Sequence, residues 1–327
     1  MKIVNCKLKI VFMGTPEFGA IILEKLIKGG YRPCLVVTAP DKPVGREQTI
    51  TPLPVKVLAE KNNIPVEQPE KIENCKLKIE NLKPDLITVA AYGQIISKDI
   101  LDTPRYGSLN VHPSLLPKYR GSSPIQAVIL NGDKKTGATI ILMDEKMDHG
   151  PILNQRAMTI EEKETAISLH DKLADLGANL LGETISKWTR RMINPQPQDD
   201  AKATFTKVLT RADGQINWQK SAEAIEREIR AYLPWPGSYT FWEKTGKSTQ
   251  IKTLKARVYK SPITMTYPIG KTLVVPQNEL AIQCGKGFSM GAGDFLVMER
   301  LQMEGKKEMS SEEFLRGHPD FIGTILK

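Results

Sequence analysis

The pattern that decides the fold begins at residues 8–28, which read LKIVFMGTPEFGAIILEKLIK. An apolar run, Leu8–Met13, is followed by a glycine turn and then by Pro16–Lys28, in which apolar residues recur at helical spacing. A proline in the first turn favours a helix, because its missing N–H would have no partner there. The stretch therefore predicts a buried strand followed by an amphipathic helix.

The first half of the chain repeats this alternation of strand and helix. Further strands are predicted at Cys34–Thr38, Ile64–Glu67, Asp85–Ala90, Gly107–Val111 and Ala138–Met143, and further helices at Pro54–Lys61, Ile72–Leu82 and Pro124–Leu130. Such alternation is typical of an α/β fold with a doubly wound, mostly parallel sheet. Ligands of these sheets bind outside the carboxyl ends of the strands, so the residues that follow each strand are the functional candidates.

A change of pattern near residue 192 predicts two domains in this chain of 327 residues. Residues 161–191 are typical of one long helix, which would close a first domain at 1–191. Residues 192–207 have the composition of a linker, with Pro195, Pro197 and an Asp199–Asp200 pair but little apolar periodicity. Residues 208–327 contain one predicted helix and then short strand-like runs between turns, which favours a small β-barrel.

Composition limits the class of protein. Hydrophobic residues make up 40% of the chain, and no apolar run approaches the roughly 20 residues of a membrane helix. The amino terminus lacks the apolar region and cleavage site of a signal peptide. Four widely separated cysteines, without a Cys-x-x-Cys pair, argue against a zinc site or a disulfide framework. We therefore expect a soluble, cytoplasmic protein with reduced thiols and no metal.

The formal net charge of +9 is spread unevenly along the chain. The excess of Lys and Arg over Asp and Glu is +2 in residues 1–186, +3 in 187–207 and +4 in 208–327. Lysine and arginine bind a polyanion by releasing its counterions, so a nucleic-acid partner is one explanation of the basic later part. A basic surface that is simply solvated is the other.

The segment richest in chemistry is Gly107–Pro117. Asn110 and His112 are two residues apart at the carboxyl end of a predicted strand, so their side chains point to the same side. An amide and an imidazole in that position could act on one reacting centre. A core or loop histidine with a satisfied hydrogen bond is the alternative for His112.

Two acids compete for a place beside His112. Asp144 and Asp148 follow the predicted strand Ala138–Met143, so both reach the same edge of the sheet, where a carboxylate could orient the imidazole. A solvated turn is the alternative for either acid. The first glycine turn lacks the Gly-x-Gly-x-x-Gly spacing that binds a pyrophosphate, which argues against a dinucleotide oxidoreductase.

Together these segments resemble the folate-dependent formyltransferases, and within that family the members that act on methionyl-tRNA. The core motifs are Asn110-x-His112, Ser114-Leu115-Leu116-Pro117-x-x-Arg120-Gly121 and Met143-Asp144-x-x-x-Asp148-x-Gly150. Phe12–Phe18, Asp41-Lys42-Pro43-x-Gly45-Arg46, Asp213-Gly214-x-Ile216-x-Trp218 and Pro234-Trp235-Pro236-Gly237 extend the resemblance over nearly the whole chain.

The resemblance implies a function and a set of site residues. The donor would be 10-formyltetrahydrofolate and the acceptor the amino group of initiator methionyl-tRNA, with no membrane and no second subunit required. Asn110, His112 and Asp148 would form the catalytic trio, and Ser114, Leu115, Leu116 and Pro117 would border the folate. Arg46 would lie on the long loop that engages the tRNA acceptor end, and the second domain would be an OB-like barrel that contacts tRNA.

Three alternatives to this function stay open. Another folate-dependent formyltransferase, with a sugar-nucleotide amine as acceptor, would share the trio. A formyltetrahydrofolate hydrolase would use the same donor with water as the acceptor. A non-catalytic RNA-binding module would explain the basic second domain without any chemistry. Within the family resemblance, Glu47-Gln48-Thr49 is a departure, because lysines often follow the Gly-Arg pair.

Overall fold

The computed structural model describes residues 8–44, 49–244, 246–260, 267–276, 278–285 and 294–327. The chain divides into two compact units. The first unit comprises Met1–Pro124, Lys134–Ile160 and Leu169–Lys207, and the second comprises Ile125–Asp133, Glu161–Ser168 and Val208–Lys327. Residues 192–207, predicted as a linker, group with the first unit. The domain bounds 1–191 and 208–327 stay predictions.

The described residues of the first unit contain the six strands that the sequence predicts, in the same order, and five that it does not predict. They are β1 (Ile10–Gly14), β2 (Leu35–Val37), β3 (Lys42–Val44), β4 (Thr49–Thr51), β5 (Val66–Glu67), β6 (Leu86–Ala90), β7 (Ser108–His112), β8 (Arg120–Gly121), β9 (Lys135–Leu142), β10 (Ile152–Thr159) and β11 (Phe205–Thr206). The α-helices of residues 8–207 are α1 (Glu17–Lys28), α2 (Pro54–Lys61), α3 (Lys76–Leu82), α4 (Lys98–Leu101), α5 (Pro124–Leu130) and α6 (Ala166–Thr189).

One seven-stranded sheet in the order β10-β9-β7-β6-β1-β2-β5 forms the centre of this unit. The five strands from β7 to β5 pair in parallel, whereas β9 is antiparallel to both β7 and β10. Every residue of β1 and of β6 is buried, as expected of parallel strands that are covered on both faces. The predicted α/β class with a mostly parallel sheet is confirmed.

Strand β7 lies where the sheet changes from parallel to antiparallel pairing. Asn110 pairs with Val89 on β6 and with Ile141 on β9, and His112 pairs with Thr139 on β9. The carboxyl end of β7 therefore lies beside the middle of β9. This register brings the turn after β7 close to the middle of a buried antiparallel strand.

The second unit is built on a curled antiparallel sheet. Its strands are β12 (Ser238–Lys244), β13 (Lys247–Lys260), β14 (Thr272–Val275), β15 (Glu279–Gln283), β16 (Asp294–Met303) and β17 (Glu308–Ser310), and its further helices are α7 (Ala222–Ala231) and α8 (Ser311–Gly317). The described strands pair in the order β12-β13-β16-β15-β14, with β17 beside β16. Register shifts between Thr253 and Ala256 bend the long strand β13. The result is a half-barrel, consistent with the predicted OB-like fold.

Aromatic and aliphatic side chains fill the interior of this half-barrel. Trp242 on β12 meets the rings of Phe314 and Phe321 edge-on, at centroid distances of 6.2 and 5.1 Å. Ile225 and Ile229 on α7 are buried in the same cluster. Because the two isoleucines are four residues apart, they lie on one face of the helix, which explains why α7 covers the sheet.

Candidate active site

Asn110 and His112 lie on the same side of β7, as their spacing predicts. His112 is buried, with only 4% of its surface exposed, and Asn110 is half-buried. The residue between them, Val111, is buried on the opposite side. Strand geometry alone therefore places one amide and one imidazole at the carboxyl end of a central strand.

Asp148 reaches this position from the turn that joins β9 to β10. Its Oδ1 atom lies 3.2 Å from Asn110 Nδ2 and 3.5 Å from His112 Nδ1. Its other oxygen, Oδ2, accepts a hydrogen bond of 2.8 Å from the backbone N–H of Gly121. The Asp148 side chain is 14% exposed. The structure thus brings together the three residues that the sequence motifs single out.

The backbone of Asp148 is held in an uncommon conformation. Its φ of +50° lies in the left-handed region, which aspartate tolerates better than most residues but which still costs free energy. Close packing around the turn maintains it, because a methyl group added at Gly150 would lie 1.9 Å from the carbonyl oxygen of Leu142. Position 150 of this turn therefore accepts only glycine.

The second ring nitrogen of His112 identifies its tautomer. Nε2 lies 2.9 Å from the carbonyl oxygen of Tyr119. A carbonyl oxygen can only accept, so Nε2 must carry a hydrogen and donate it. In the neutral imidazole this leaves Nδ1 unprotonated and turned toward Asp148 and Asn110. The nitrogen that faces the site is therefore the basic one.

Asp144, the rival acid, belongs to a different pair. Its Oδ2 atom lies 2.6 Å from Nδ1 of His149, and the Nε2 atom of His149 lies 3.5 Å from Asp200. Its Oδ1 atom accepts from the backbone N–H of Lys146, as in an ordinary turn. Of the two acids that the sequence left open, only Asp148 has a described contact with His112.

The loop of residues 114–117 is anchored to β9. The hydroxyl of Thr139 donates to the carbonyl of Ser114 at 2.6 Å and accepts from the N–H of Leu116 at 3.3 Å. Gln155 on β10 donates to both the carbonyl of Leu116 and the hydroxyl of Thr139. The loop therefore has a fixed backbone, and the half-buried side chains of Leu115 and Pro117 lie on it.

The Ser114 hydroxyl is used within that loop. It is fully buried and donates to the carbonyl oxygen of Lys118 at 2.7 Å. No contact between it and His112 is described in the structure. The geometry therefore gives Ser114 a role in shaping the loop and offers no sign of an activated nucleophile.

A segment that the sequence predicts as a linker closes over these loops. We call residues 196–206 the strap. The backbone of Gln196 forms two hydrogen bonds with that of Ile152, and β11 pairs in parallel with β8. The hydroxyl of Thr204 accepts from the N–H of Tyr119 at 2.8 Å. The strap is thus hydrogen-bonded to the same residues that surround the trio.

The side chains of the strap reach the trio through Arg120 and Gln198. Arg120 is 3% exposed, and its guanidinium donates to Gln198 Oε1 at 3.1 and 3.0 Å and to Asp200 at 2.7 Å. Gln198 Nε2 donates to the carbonyl oxygens of Asp148 and Gly150, both at 2.8 Å. Gln198 was not predicted as a site residue, since nothing in its local sequence distinguishes it from the other polar residues of the strap.

Arg46, expected on the loop that would engage tRNA, lies outside the described residues. The described part of that loop is fixed at its base, where the side chains of Lys56 and Gln68 bind Asp41. The hydrogen bond from Lys56 is the main reason that the pKa of Asp41 lies below its usual value. The short strands β3 and β4 form a hairpin on either side of residues 45–48.

Neither a metal-binding cluster nor a membrane-spanning helix is present among the described residues. No group of three or more His, Cys, Asp and Glu side chains there could hold a metal ion. None of the helices in the described ranges is long and apolar enough to cross a membrane.

The fold and the trio define a class of protein that comparison with known families makes explicit. A family described as formyl transferase matches residues 8–185, and its C-terminal domain family matches residues 208–319. A methionyl-tRNA formyltransferase of Halalkalibacterium halodurans is 44% identical over 98% of both chains. Another, of Enterococcus faecalis, is 43% identical over 94% of this chain and 96% of that one. The chain belongs to the methionyl-tRNA formyltransferase family.

A solved structure supports the same fold at lower sequence identity. The N-formyltransferase of Helicobacter canadensis, in complex with folinic acid and dTDP-3-aminofucose, aligns with a TM-score of 0.62 and 19% identity. The alignment covers 89% of this chain and 99% of that one. At this identity the similarity shows the fold alone.

Proposed function

We propose that this protein transfers the formyl group of 10-formyltetrahydrofolate to the amino group of methionine on initiator tRNA. The convergence of Asn110, His112 and Asp148 at the carboxyl end of β7 carries the proposal. The family membership supports it, since relatives of that name match almost the entire chain at 41–44% identity.

The transfer requires an oxyanion to be stabilised. The methionine nitrogen attacks the formyl carbon, the formyl oxygen takes up negative charge, and the bond between that carbon and N10 of the folate then breaks. Asn110 donates one amide N–H to Asp148, and an amide has a second N–H to offer. That second N–H is the proposed donor to the oxyanion, a contact typically worth about 10²–10³ in rate.

The transfer also requires a proton to move from the attacking nitrogen to N10. His112 Nδ1 accepts the proton, because Nε2 already carries a hydrogen that is bound to the Tyr119 carbonyl. The imidazolium so formed has an acceptor at each nitrogen, with Asp148 beside Nδ1. Nδ1 then returns the proton to N10 as the folate leaves. No covalent enzyme intermediate is needed, since the amine is itself the nucleophile.

The folate is proposed to lie along residues 114–117. Leu115 and Pro117 offer half-buried apolar surface on a loop whose backbone is fixed by Thr139. A fixed loop next to His112 suits a donor that must hold its formyl carbon within reach of one amide and one imidazole. Ser114, Leu115, Leu116 and Pro117 therefore remain the proposed folate border.

The tRNA is proposed to bind residues 187–327 through its phosphates and to be guided by Arg46. The supporting observation is the basic excess of residues 187–327. Each phosphate contact contributes about 0.7–0.9 to the slope of log K against log salt. If tRNA is held by several phosphate contacts, the full chain should show a slope of log K against log salt several times larger than that of one contact. Arg46→Ala should lower the magnitude of this slope by at most about one. A slope near zero would remove tRNA as the partner of this surface.

We also propose that the protein acts as a monomer in the cytosol. The mutual contacts of Asn110, His112 and Asp148 within one chain support a site that is complete in the monomer. Charged initiator tRNA is made and consumed in the compartment of translation.

One assay tests the proposed reaction against its alternatives. The protein is incubated with 10-formyltetrahydrofolate and charged initiator tRNA, and the aminoacyl ester is analysed for formylmethionine. We expect formylmethionine only when all three components are present. Formate release without tRNA would favour the hydrolase, and formylation of an amino-sugar nucleotide instead would favour the other branch of the family. Tight tRNA binding without formate release or any formylated product would favour a non-catalytic RNA-binding module.

A further inference from the structure

Gln198 is the one strap side chain that touches the backbone on both sides of the Asp148 turn. Its partners fix how the amide is oriented. Arg120 can only donate, so the oxygen of the amide must face it, and the carbonyls of Asp148 and Gly150 can only accept, so the nitrogen must face them. Both ends of the amide are therefore fully used, at distances between 2.8 and 3.1 Å.

These hydrogen bonds hold the turn that carries Asp148. Asp148 has a left-handed backbone, a conformation that persists only where its surroundings enforce it. The two hydrogen bonds from Gln198 hold the peptide groups after residues 148 and 150, and the buried guanidinium of Arg120 holds Gln198. The direction of the Asp148 carboxylate depends on the same peptide groups.

We propose that Gln198 is a positioning residue for the reaction, which it serves by fixing the Asp148 carboxylate beside His112 and Asn110. This inference rests on the proposed function. Gln198 therefore serves the active site, although it lies 50 residues further along the chain than Asp148. Gln198 itself has no described contact with Asn110 or His112, so its effect passes through Asp148.

The size of the effect follows from the geometry of acyl transfer. Asp148 Oδ1 is close to two reacting groups at once, at 3.2 Å from Asn110 Nδ2 and 3.5 Å from His112 Nδ1. A displacement of about 1 Å in such a group can lower a rate by about 10². Binding of the substrates depends on other surfaces, so the loss should fall on turnover.

The test uses two substitutions of the full-length protein. Gln198→Glu keeps an acceptor for Arg120 and loses the donor to the two carbonyls, whereas Gln198→Met keeps the length and loses both. We expect each to lower kcat by about 10- to 100-fold, with the KM for both substrates within about threefold of wild type. Gln196→Glu and Gln196→Met are the matched controls, since that side chain is exposed and its one described hydrogen bond goes to the nearby carbonyl of Asn194. They should keep kcat within about twofold.

A double-mutant cycle separates positioning from a general loss of structure. If Gln198 acts through Asp148, its substitution should have almost no further effect in an Asp148→Asn background, because the two losses share one cause. If the losses of kcat in the two single variants instead multiply in the double variant, the proposal is overturned. Wild-type kcat in Gln198→Glu, or an equal fall in the Gln196 controls, would also overturn it.

A thermal melt of each variant and the assay of the wild-type protein for formylmethionine keep these outcomes distinct. A thermal melt of each variant identifies any that fails to fold, and the remaining Gln198 variant then carries the test. If both unfold while the Gln196 variants do not, the strap is structural and the positioning proposal is wrong. Failure of the proposed function looks different, because the wild-type protein itself would then produce no formylmethionine.

Discussion

Two of the histidine–aspartate pairs in the first unit involve acids of the turn between β9 and β10, His112 with Asp148 and His149 with Asp144. In the first pair the nearest nitrogen and oxygen are 3.5 Å apart, and the side chains are 4% and 14% exposed. In the second pair the distance is only 2.6 Å, but the side chains are 29% and 37% exposed. The shorter contact therefore belongs to the more exposed pair.

Contact length alone is therefore a poor guide to which of the two pairs takes part in chemistry. The His149–Asp144 pair has its hydrogen bond formed at rest and solvent around it, which is ordinary for a surface turn. The His112–Asp148 pair is buried, faces the amide of Asn110 and is braced by the backbone N–H of Gly121. A slightly long contact leaves room for the pair to tighten when charge develops on the imidazole.

The largest effect should come from removing the groups that face the reacting centre. We expect His112→Ala and Asn110→Ala each to lower turnover by at least about 10²-fold, because both act mainly on the transition state. Folate binding should remain nearly intact. Steady-state kinetics together with folate titration provides the check. Wild-type turnover in either variant would show that the buried pair is not the reactive one.

The next effect compares the two acids directly. Asp148→Asn keeps the shape of the side chain but removes its charge, so it should lower kcat by about 10- to 100-fold. Asp144→Asn, its matched control four residues earlier, should stay within about threefold of wild type. The measurement is kcat for both variants at saturating substrates. Equal losses would mean that the exposed pair also takes part.

The smallest effect concerns Asp200, which contacts Arg120 at 2.7 Å and His149 at 3.5 Å. The hydrogen bond from Arg120 is the main reason that the pKa of Asp200 lies below 3.8. A carboxyl group whose pKa is lowered by folding stabilises the folded protein at pH values above the pKa that the group has in the unfolded chain. That stabilisation is lost as the pH falls through the pKa of the group in the folded protein.

Asp200→Asn should therefore slightly lower the Tm near neutral pH, because the carboxylate is 64% exposed and well screened. The difference from wild type should shrink as the pH falls below 3.8, where wild-type Asp200 also loses its charge. Thermal melts at several pH values measure this, and kcat should change by less than about threefold. A difference that grows toward acid pH would contradict the assigned ion pair.

Much of this site follows from local rules that a sequence displays. Asn110 and His112 share a side of β7 because strand residues alternate, and their position at a carboxyl end follows from the βα alternation. The choice between Asp144 and Asp148 does not follow from spacing, since both lie in one turn. It depends on the left-handed backbone of Asp148 and on the close packing of Gly150.

The strap shows why the remainder was not predictable from the chain alone. Its contacts are hydrogen bonds from polar side chains and backbone groups to partners far away in sequence, such as Gln198 with Asp148. Contacts of this kind leave no apolar periodicity, which is the main signal of secondary structure. Strand β10 was missed for a related reason, because it lies at the edge of the sheet and much of it is exposed.

The position of the strap also has a consequence for how the protein is made. A ribosome synthesises Asp148 well before Gln198, which follows 50 residues later. A nascent chain that has been synthesised as far as β10 thus holds all three members of the trio but not the hydrogen bonds from Gln198 that fix the carboxylate. Gln198, the last of these groups to be synthesised, precedes residues 208–327, which form most of the second unit. In the order of translation, the enzyme acquires its reactive groups first and their alignment only shortly before those residues begin to emerge.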